Sequence, residues 1–311
     1  MHYLVTGGAG FIGSHTVDEL IRRGHRVRVL DDLSAGNLDN LAHVRKEVEF
    51  TEGSVTNQQL LSDACRGIDR VIHLAAQVSV PRSVKDPLET HQINGTGTLN
   101  VLIAARQAGV KRVVFASSCA VYGKTDLLPI PESAPTAPIS PYGVSKLLGE
   151  WYGRIFLDLY GLEFVALRYF NVFGPRQDPG SPYSGVLSLF NTAVRNRTQP
   201  AVYGDGEQSR DFVYIGNVAE ANCVASEAPM APGHSINIGM GARTTLNQTL
   251  SLLGKITGRP LVATHGPARD GDIRDSQADI SSAKALLGYD PKITFEQGLK
   301  KTWEWFSAGP A

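Results

Sequence analysis

The sequence predicts an α/β protein, a doubly wound parallel sheet with a smaller α/β C-terminal substrate-binding lobe. Three observations lead there. Apolar runs of four to six residues alternate with longer amphipathic stretches through the first half, the pattern of βα units feeding a parallel sheet. The run Tyr3 to Val5 passes directly into a glycine cluster and then a helix-like segment. The 311 residues also exceed one domain of roughly 150, so about two domains are expected.

Taken in order, the strand candidates are Tyr3 to Val5, Arg26 to Leu30, Val48 to Phe50, Arg70 to Leu74, Arg112 to Ala116 and Glu163 to Leu167, each beside Gly, Asp or Ser punctuation. Helices occupy the gaps. Ser14 to Arg23 closes at Gly24 and Tyr142 to Tyr160 at Gly161, the residue that tolerates a left-handed C-terminal cap. Leu127 to Pro141 holds five prolines in fifteen residues and reads as a surface loop near the site. After about residue 170 the composition changes, with Pro, Gly and polar residues from Asn171 to Ser184. Residues 1–170 are therefore expected to form the dinucleotide-binding domain, with segments near 205–238 returning to it, and 171–311 the second lobe.

Composition removes several function classes. Thirty Lys and Arg balance thirty Asp and Glu, which lacks the footprint of a nucleic-acid binder. Cys65, Cys119 and Cys223 are far apart, with no metal-ligand spacing, and no metal site is expected. Such cysteine usage fits a reducing cytoplasm. No apolar run approaches a membrane span, and no signal-like segment precedes Gly7.

The turn Gly7-Gly8-Ala9-Gly10-Phe11-Ile12-Gly13 joins the first strand to the first helix. Absent Cβ atoms, free N–H donors and the positive helix end suit a dinucleotide pyrophosphate, as in the Rossmann arrangement. Asp31 lies 18 residues beyond Gly13 at the end of the second strand, where a carboxylate accepts from ribose hydroxyls and repels a 2′-phosphate. No Arg or Lys follows before Asn40, so NAD is expected over NADP. Asp32 either shares this role or caps a turn.

Tyr142 and Lys146 stand at i and i+4, on one face of a helix. Ser117 and Ser118 close the strand from Arg112, at the sheet edge where open α/β folds bind ligands. A free phenol is about one part in a thousand ionised near pH 7, so Lys146 and an oxidised nicotinamide are expected to acidify Tyr142. Ser118 would hydrogen-bond the reacting substrate hydroxyl and help carry its proton.

With His73-Leu74-Ala75-Ala76, Asn94, Ser117-Ser118-Cys119-Ala120-Val121-Tyr122-Gly123, Arg168-Tyr169-Phe170-Asn171-Val172-Phe173-Gly174-Pro175-Arg176, Gly204-Asp205-Gly206 and Arg210-Asp211, the chain resembles the extended short-chain dehydrogenase/reductases over nearly its whole length, in particular their nucleotide-sugar 4-epimerases. The resemblance implies an NAD site formed by Gly7, Gly10, Phe11, Ile12, Gly13, Asp31, Asp32, Ser54, Val55, Leu74, Ala75, Ala76, Asn94, Tyr142, Lys146 and Phe170. It assigns catalysis to Ser118, Tyr142 and Lys146, and a UDP-sugar to Ser118, Asn171, Ser184, Ala201, Tyr203, Arg210, Arg269, Asp272 and Ser276. The expected reaction inverts C4 through a transient 4-keto sugar. A homodimer is implied, paired through helices at Pro87 to Ala108 and Tyr142 to Tyr160.

Within that family Cys119-Ala120 replaces the Asp-Glu pair of the 4,6-dehydratases and the Glu of the decarboxylases, which disfavours both reactions. Ser276, seven residues after Arg269, replaces the bulky Tyr that closes the pocket of enzymes restricted to glucose and galactose. UDP-N-acetylglucosamine and UDP-N-acetylgalactosamine are therefore expected as substrates beside UDP-glucose and UDP-galactose. The rivals are a UDP-glucuronate 4-epimerase, with Arg82 or Arg176 on the carboxylate, and a non-catalytic sensor of NAD or nucleotide sugar.

Overall fold

The computed structural model describes residues 1–177, 185–268 and 273–308. Strands β1 (His2–Thr6), β2 (Arg26–Asp31), β3 (Val48–Glu52), β4 (Arg70–His73), β5 (Arg112–Ser118) and β6 (Glu163–Tyr169) fall where the apolar runs lie. The shorter strands are β7 (Asn171–Phe173), β8 (Ala201–Tyr203), β9 (Ser209–Arg210), β10 (Phe212–Tyr214), β11 (Ser235–Ile238), β12 (Thr244–Thr245) and β13 (Thr264–Gly266). Seven of them form one parallel sheet in the order β11-β6-β5-β4-β1-β2-β3. The chain reverses its direction of winding between β1 and β4, which opens a crevice at their C-terminal ends.

Alternation along the strands buries both faces. Tyr3, Val5, Val27 and Val29 join one core, while Leu4, Leu30, Val113 and Phe115 join the other. Helices α1 (Phe11–Arg22) and α8 (Ile215–Glu227) pack together on the first face. The second is covered by α2 (Gln58–Ala64), α5 (Gly97–Gln107) and α6 (Pro141–Tyr160), with the short α3 (Val80–Lys85) and α4 (Pro87–Thr90) beside α6. The remaining helices are α7 (Val186–Arg195), α9 (Leu246–Thr257), α10 (Ser281–Leu287) and α11 (Phe295–Ala308).

Helix α6 starts where Ser140 accepts a hydrogen bond from the Gly143 N–H at 3.1 Å and stops at left-handed Gly161. It lies unusually close to the sheet. A Cβ on Gly153 would fall 2.2 Å from the Phe164 ring, and one on Gly149 would fall 2.4 Å from Phe115.

Two expectations need correction. The segment Pro87 to Ala108 is not one regular helix: α4 passes through a π-turn at His91–Thr96 before α5, and that turn aims Asn94 inward. The proline-rich stretch is also more than a surface loop, because Ile130 and Ala134 are buried and Ile130 bridges to Ala278. Proline there removes helix and sheet while leaving carbonyls free to pair elsewhere. No described helix is long and apolar enough to cross a membrane.

Candidate active site

The glycine turn is built by contact as much as by conformation. Gly7 has φ +72°, and a Cβ there would sit 2.7 Å from the Ala75 N. A Cβ on Gly13 would strike the Gly7 carbonyl at 2.0 Å. Gly10 differs, since its only near neighbour would be the Gly7 oxygen at 3.2 Å, so the turn is open on that side, beside the unpaired N–H groups that begin α1. This cradle fits a dinucleotide pyrophosphate. Leu74, Ala75 and Ala76 follow β4 across the crevice, half-buried, with the Leu74 N–H donating to Thr6 O at 3.0 Å.

Asp31 is buried and accepts from the Ala9 N–H at 2.9 Å and the Leu33 N–H at 2.8 Å. Burial pushes its carboxyl above the usual range against the pull of these bonds. It therefore organises the turn and retains lone pairs for ribose hydroxyls. Asp32 is exposed and caps Ser34, accepting from its N–H at 3.0 Å and its hydroxyl at 2.6 Å. Ser54 accepts from Thr56 in a turn of its own, Val55 is buried under Gly97, and buried Phe170 donates its N–H to Ile238 O at 3.0 Å. Asn94 spans the crevice wall, accepting from the Gln77 N–H at 2.7 Å and donating to Gln77 O and Ser145 Oγ, both at 2.9 Å.

At the end of β5 Ser118 stands close enough to the Tyr142 phenol to pull its pKa downward, while the Ser118 Oγ accepts from the Ala120 N–H at 3.2 Å. Two serines missed by the sequence reading also fix that helix turn. Ser83 Oγ accepts from the Tyr142 N–H at 3.1 Å, and Ser145 Oγ donates to Tyr142 O at 2.7 Å. Lys146 is buried with its Nζ 5.7 Å from the Tyr142 ring centre and 5.1 Å from that of Phe115.

Burial dominates the electrostatics of this pair in the protein alone. Burial pushes the Tyr142 phenol up to about 12, with Ser118 pulling the other way, and burial pushes the Lys146 ammonium down to about 7. Desolvation is the largest influence on both groups in the protein alone. The hydroxyls of a bound dinucleotide ribose would offer this ammonium acceptors, and the glycine turn opposite leaves room for the pyrophosphate, so the chain's own residues fit NAD on both sides of the crevice. His73, beneath Lys146, is held neutral by burial and by that cation, pushed down to about 3. Its ring nitrogens meet Thr6 Oγ1 at 2.7 Å and Thr98 Oγ1 at 3.0 Å, which makes it a packed histidine. The Cys119 thiol is pushed up to about 11 by burial and by Asp211, which keeps it unreactive.

A cavity of about 280 Å³ lies beyond β7, lined by Asn171, Gln177, Ala201, Tyr203, Arg210 and Leu246 among others. Asn171 Nδ2 donates to Ser276 Oγ and to Asp211 O, both at 3.3 Å. Arg210 Nη1 donates to Ser209 O at 2.9 Å and to Arg274 O at 3.2 Å. The structure thus gathers Asn171, Ala201, Tyr203, Arg210 and Ser276 in one region. Ser184, Arg269 and Asp272 lie outside the described residues. Among those described, no three His, Cys, Asp or Glu residues are grouped to hold a metal.

Residues 3–239 match the model of the NAD dependent epimerase/dehydratase family. The chain belongs to this family. It is 40% identical over 304 residues to a putative UDP-glucose 4-epimerase of Methanocaldococcus jannaschii, covering 97% of each chain. A solved UDP-glucose 4-epimerase of Thermotoga maritima, with UDP-glucose, is 41% identical, with TM-score 0.93 over 98% of both chains. A UDP-N-acetylglucosamine 4-epimerase of Methanobrevibacter ruminantium, in complex with UDP-N-acetylmuramic acid, is 39% identical, with TM-score 0.95 over 99% of this chain and 98% of that one. Both family membership and the fold of these structures agree with the resemblance carried by the sequence motifs.

Proposed function

We propose that the protein inverts C4 of UDP-hexoses through a transient 4-keto sugar, acting on UDP-N-acetylglucosamine and UDP-N-acetylgalactosamine as well as UDP-glucose and UDP-galactose. The observation that carries this reading is the grouping of the Tyr142 phenol with Ser118 and with buried Lys146, whose Nζ lies 5.7 Å from the phenol ring centre, at the sheet edge that faces the glycine turn. The names and ligands of the relatives support it.

In this reading Tyr142 is the proton carrier. Its phenolate accepts the proton of the sugar 4-hydroxyl and later returns it, and Ser118 holds that hydroxyl and helps carry the proton to the neighbouring phenol. Bound NAD supplies the reversible two-electron acceptor at C4. Lys146 holds the nicotinamide ribose and, once charged and solvated by its hydroxyls, favours the phenolate. Arg210 and Asn171, with Arg269, would take the diphosphate, for which a guanidinium offers paired donors. Asp31 rejects a 2′-phosphate.

Substrate range rests on Ser276, which is buried against Asn171 and is small enough to leave room for a 2-acetamido group. The test is to incubate the protein with UDP-glucose and UDP-N-acetylglucosamine and resolve the C4 epimers. Both should equilibrate; no epimer from either would refute the enzyme reading. Ser276→Tyr should cut turnover of the acetylated sugar at least tenfold, roughly the cost of misfitting a pocket by 1–3 kcal/mol, and spare UDP-glucose. Unchanged use of the acetylated sugar would remove Ser276 as the wall.

The protein is further proposed to be a homodimer. Val144, Trp151, Ile155 and Leu159 form an exposed apolar stripe on α6 beside exposed Leu88 and Ile103, more than a monomer's scattered apolar surface. A cytoplasmic setting fits Cys65 and Cys223, both buried and unpaired.

A further inference from the structure

Ser117 and Ser118 are neighbours on one strand, so their side chains leave opposite faces. Ser118 faces Tyr142. Ser117 is buried and its hydroxyl donates to Glu150 Oε1. Glu150 lies on α6 four residues beyond Lys146 and eight beyond Tyr142, so the three residues share one side of the helix. A carboxylate in that position would be costly without partners, and it is fully supplied. Arg168 of β6 grips it with Nε on Oε1 at 2.9 Å and Nη2 on Oε2 at 2.7 Å, and Ser235 of β11 adds a bond to Oε2 at 2.9 Å. Arg168 Nη1 continues to the Tyr122 hydroxyl at 2.9 Å and to Glu132 O at 3.2 Å, and Tyr122 donates to Asn237 at 2.7 Å.

This network touches neither the glycine turn nor the residues lining the cavity beyond β7. Its members nevertheless sit on the two elements that meet at the reacting centre. One carboxylate joins the strand end that presents Ser118 to the helix that presents Tyr142 and Lys146.

We propose that Ser117 and the Glu150–Arg168 pair are positioning residues for the epimerisation: they lock α6 against the end of β5 so that the Ser118 and Tyr142 hydroxyls stay side by side. The inference rests on the epimerase reading above. It predicts that Ser117→Ala, a small change that leaves the Glu150–Arg168 pair whole, lowers kcat about tenfold while the KM for UDP-glucose and the bound NAD per chain stay within about twofold. Ser117→Thr keeps the hydroxyl and should recover kcat to within about threefold of the unaltered protein. Glu150→Gln faces Arg168 with a donor in place of an acceptor and should reduce kcat further.

The experiment measures kcat, KM and NAD content of these variants beside the unaltered protein. It also records the carbon-13 resonance of the Tyr142 Cζ, assigned by its loss in Tyr142→Phe. That resonance should move in Ser117→Ala and stay in place in Ser117→Thr. A kcat for Ser117→Ala within twofold of the unaltered protein, a Ser117→Thr variant as impaired as Ser117→Ala, or an unmoved Tyr142 resonance overturns the proposal. Absence of turnover in the unaltered protein would count against the epimerase reading alone, because the resonance reports the hydroxyl register without turnover.

Discussion

Replacing Gly153 with Ala tests whether the close seating of α6 sets the reaction geometry. The new methyl carbon would lie 2.2 to 2.3 Å from three atoms of the Phe164 ring. Carbon atoms settle at about 3.5 Å or more, so ring and helix must separate by roughly 1.3 Å. The ring has little freedom to yield, being stacked on Phe115 with centres 5.9 Å apart and planes 29° from parallel. The helix is then displaced, and with it Tyr142 and Lys146. Overpacking costs about 1–3 kcal/mol, against about 1 kcal/mol gained in helix propensity, so net stability should fall by no more than about 2 kcal/mol. Rate is more sensitive, because a misplacement near 1 Å can cost about a hundredfold. Steady-state epimerisation of UDP-glucose and a thermal melt read both quantities. The expected result is a kcat 10- to 100-fold lower with Tm depressed by a few degrees. An unchanged kcat with an unchanged or higher Tm would refute the reasoning.

Tyr142→Phe should lower kcat about a thousandfold while NAD still copurifies; substantial residual activity would move the proton carrier elsewhere. Lys146→Met acts on stability with a definite sign. The folded protein holds this ammonium's pKa below its ordinary value, at about 7, so above pH 7 the unfolded chain binds more protons and the unaltered protein gains stability as pH rises. The cofactor-free variant should therefore melt higher at pH 7, with its advantage shrinking towards pH 10, and a difference constant with pH would count against the buried ammonium. Light scattering after size exclusion should give about twice the 33.5 kDa chain mass, and Trp151→Glu should halve it; a single-chain mass throughout would refute the dimer.

The parts of this molecule that depend on local spacing are the parts a reader of the sequence finds. The six main strands, the glycine turn and the pairing of Tyr142 with Lys146 follow from period, punctuation and a four-residue step. What escapes is set by distance along the chain. Ser83 supports Tyr142 from 59 positions away and Ser117 meets Glu150 across 33, separations that no local pattern encodes. The step from Tyr142 to Lys146 repeats once more at Glu150, and that repetition was a usable signal. The π-turn at Asn94 breaks helical period only slightly, so the segment reads as plain helix. The acidifying pull of Lys146 and an oxidised nicotinamide concerns the cofactor-bound site, whereas the desolvation that raises Tyr142 and lowers Lys146 in the protein alone leaves no mark in a sequence.

The order of strands carries one more implication. Polypeptide leaves the main sheet after β6, builds β7 to β10 around the cavity, and comes back as α8 against α1 and as β11 on the sheet edge beside β6. The half that grips one ligand is thus completed by chain that has already visited the other. A single splice at residue 170 would strand an edge and uncover a helix, so the cavity-bearing portion cannot be traded between relatives as a cassette. New sugar preferences in such a scaffold must arise by local edits to the loops around Ser276 or by paired crossovers that carry the returning segment along.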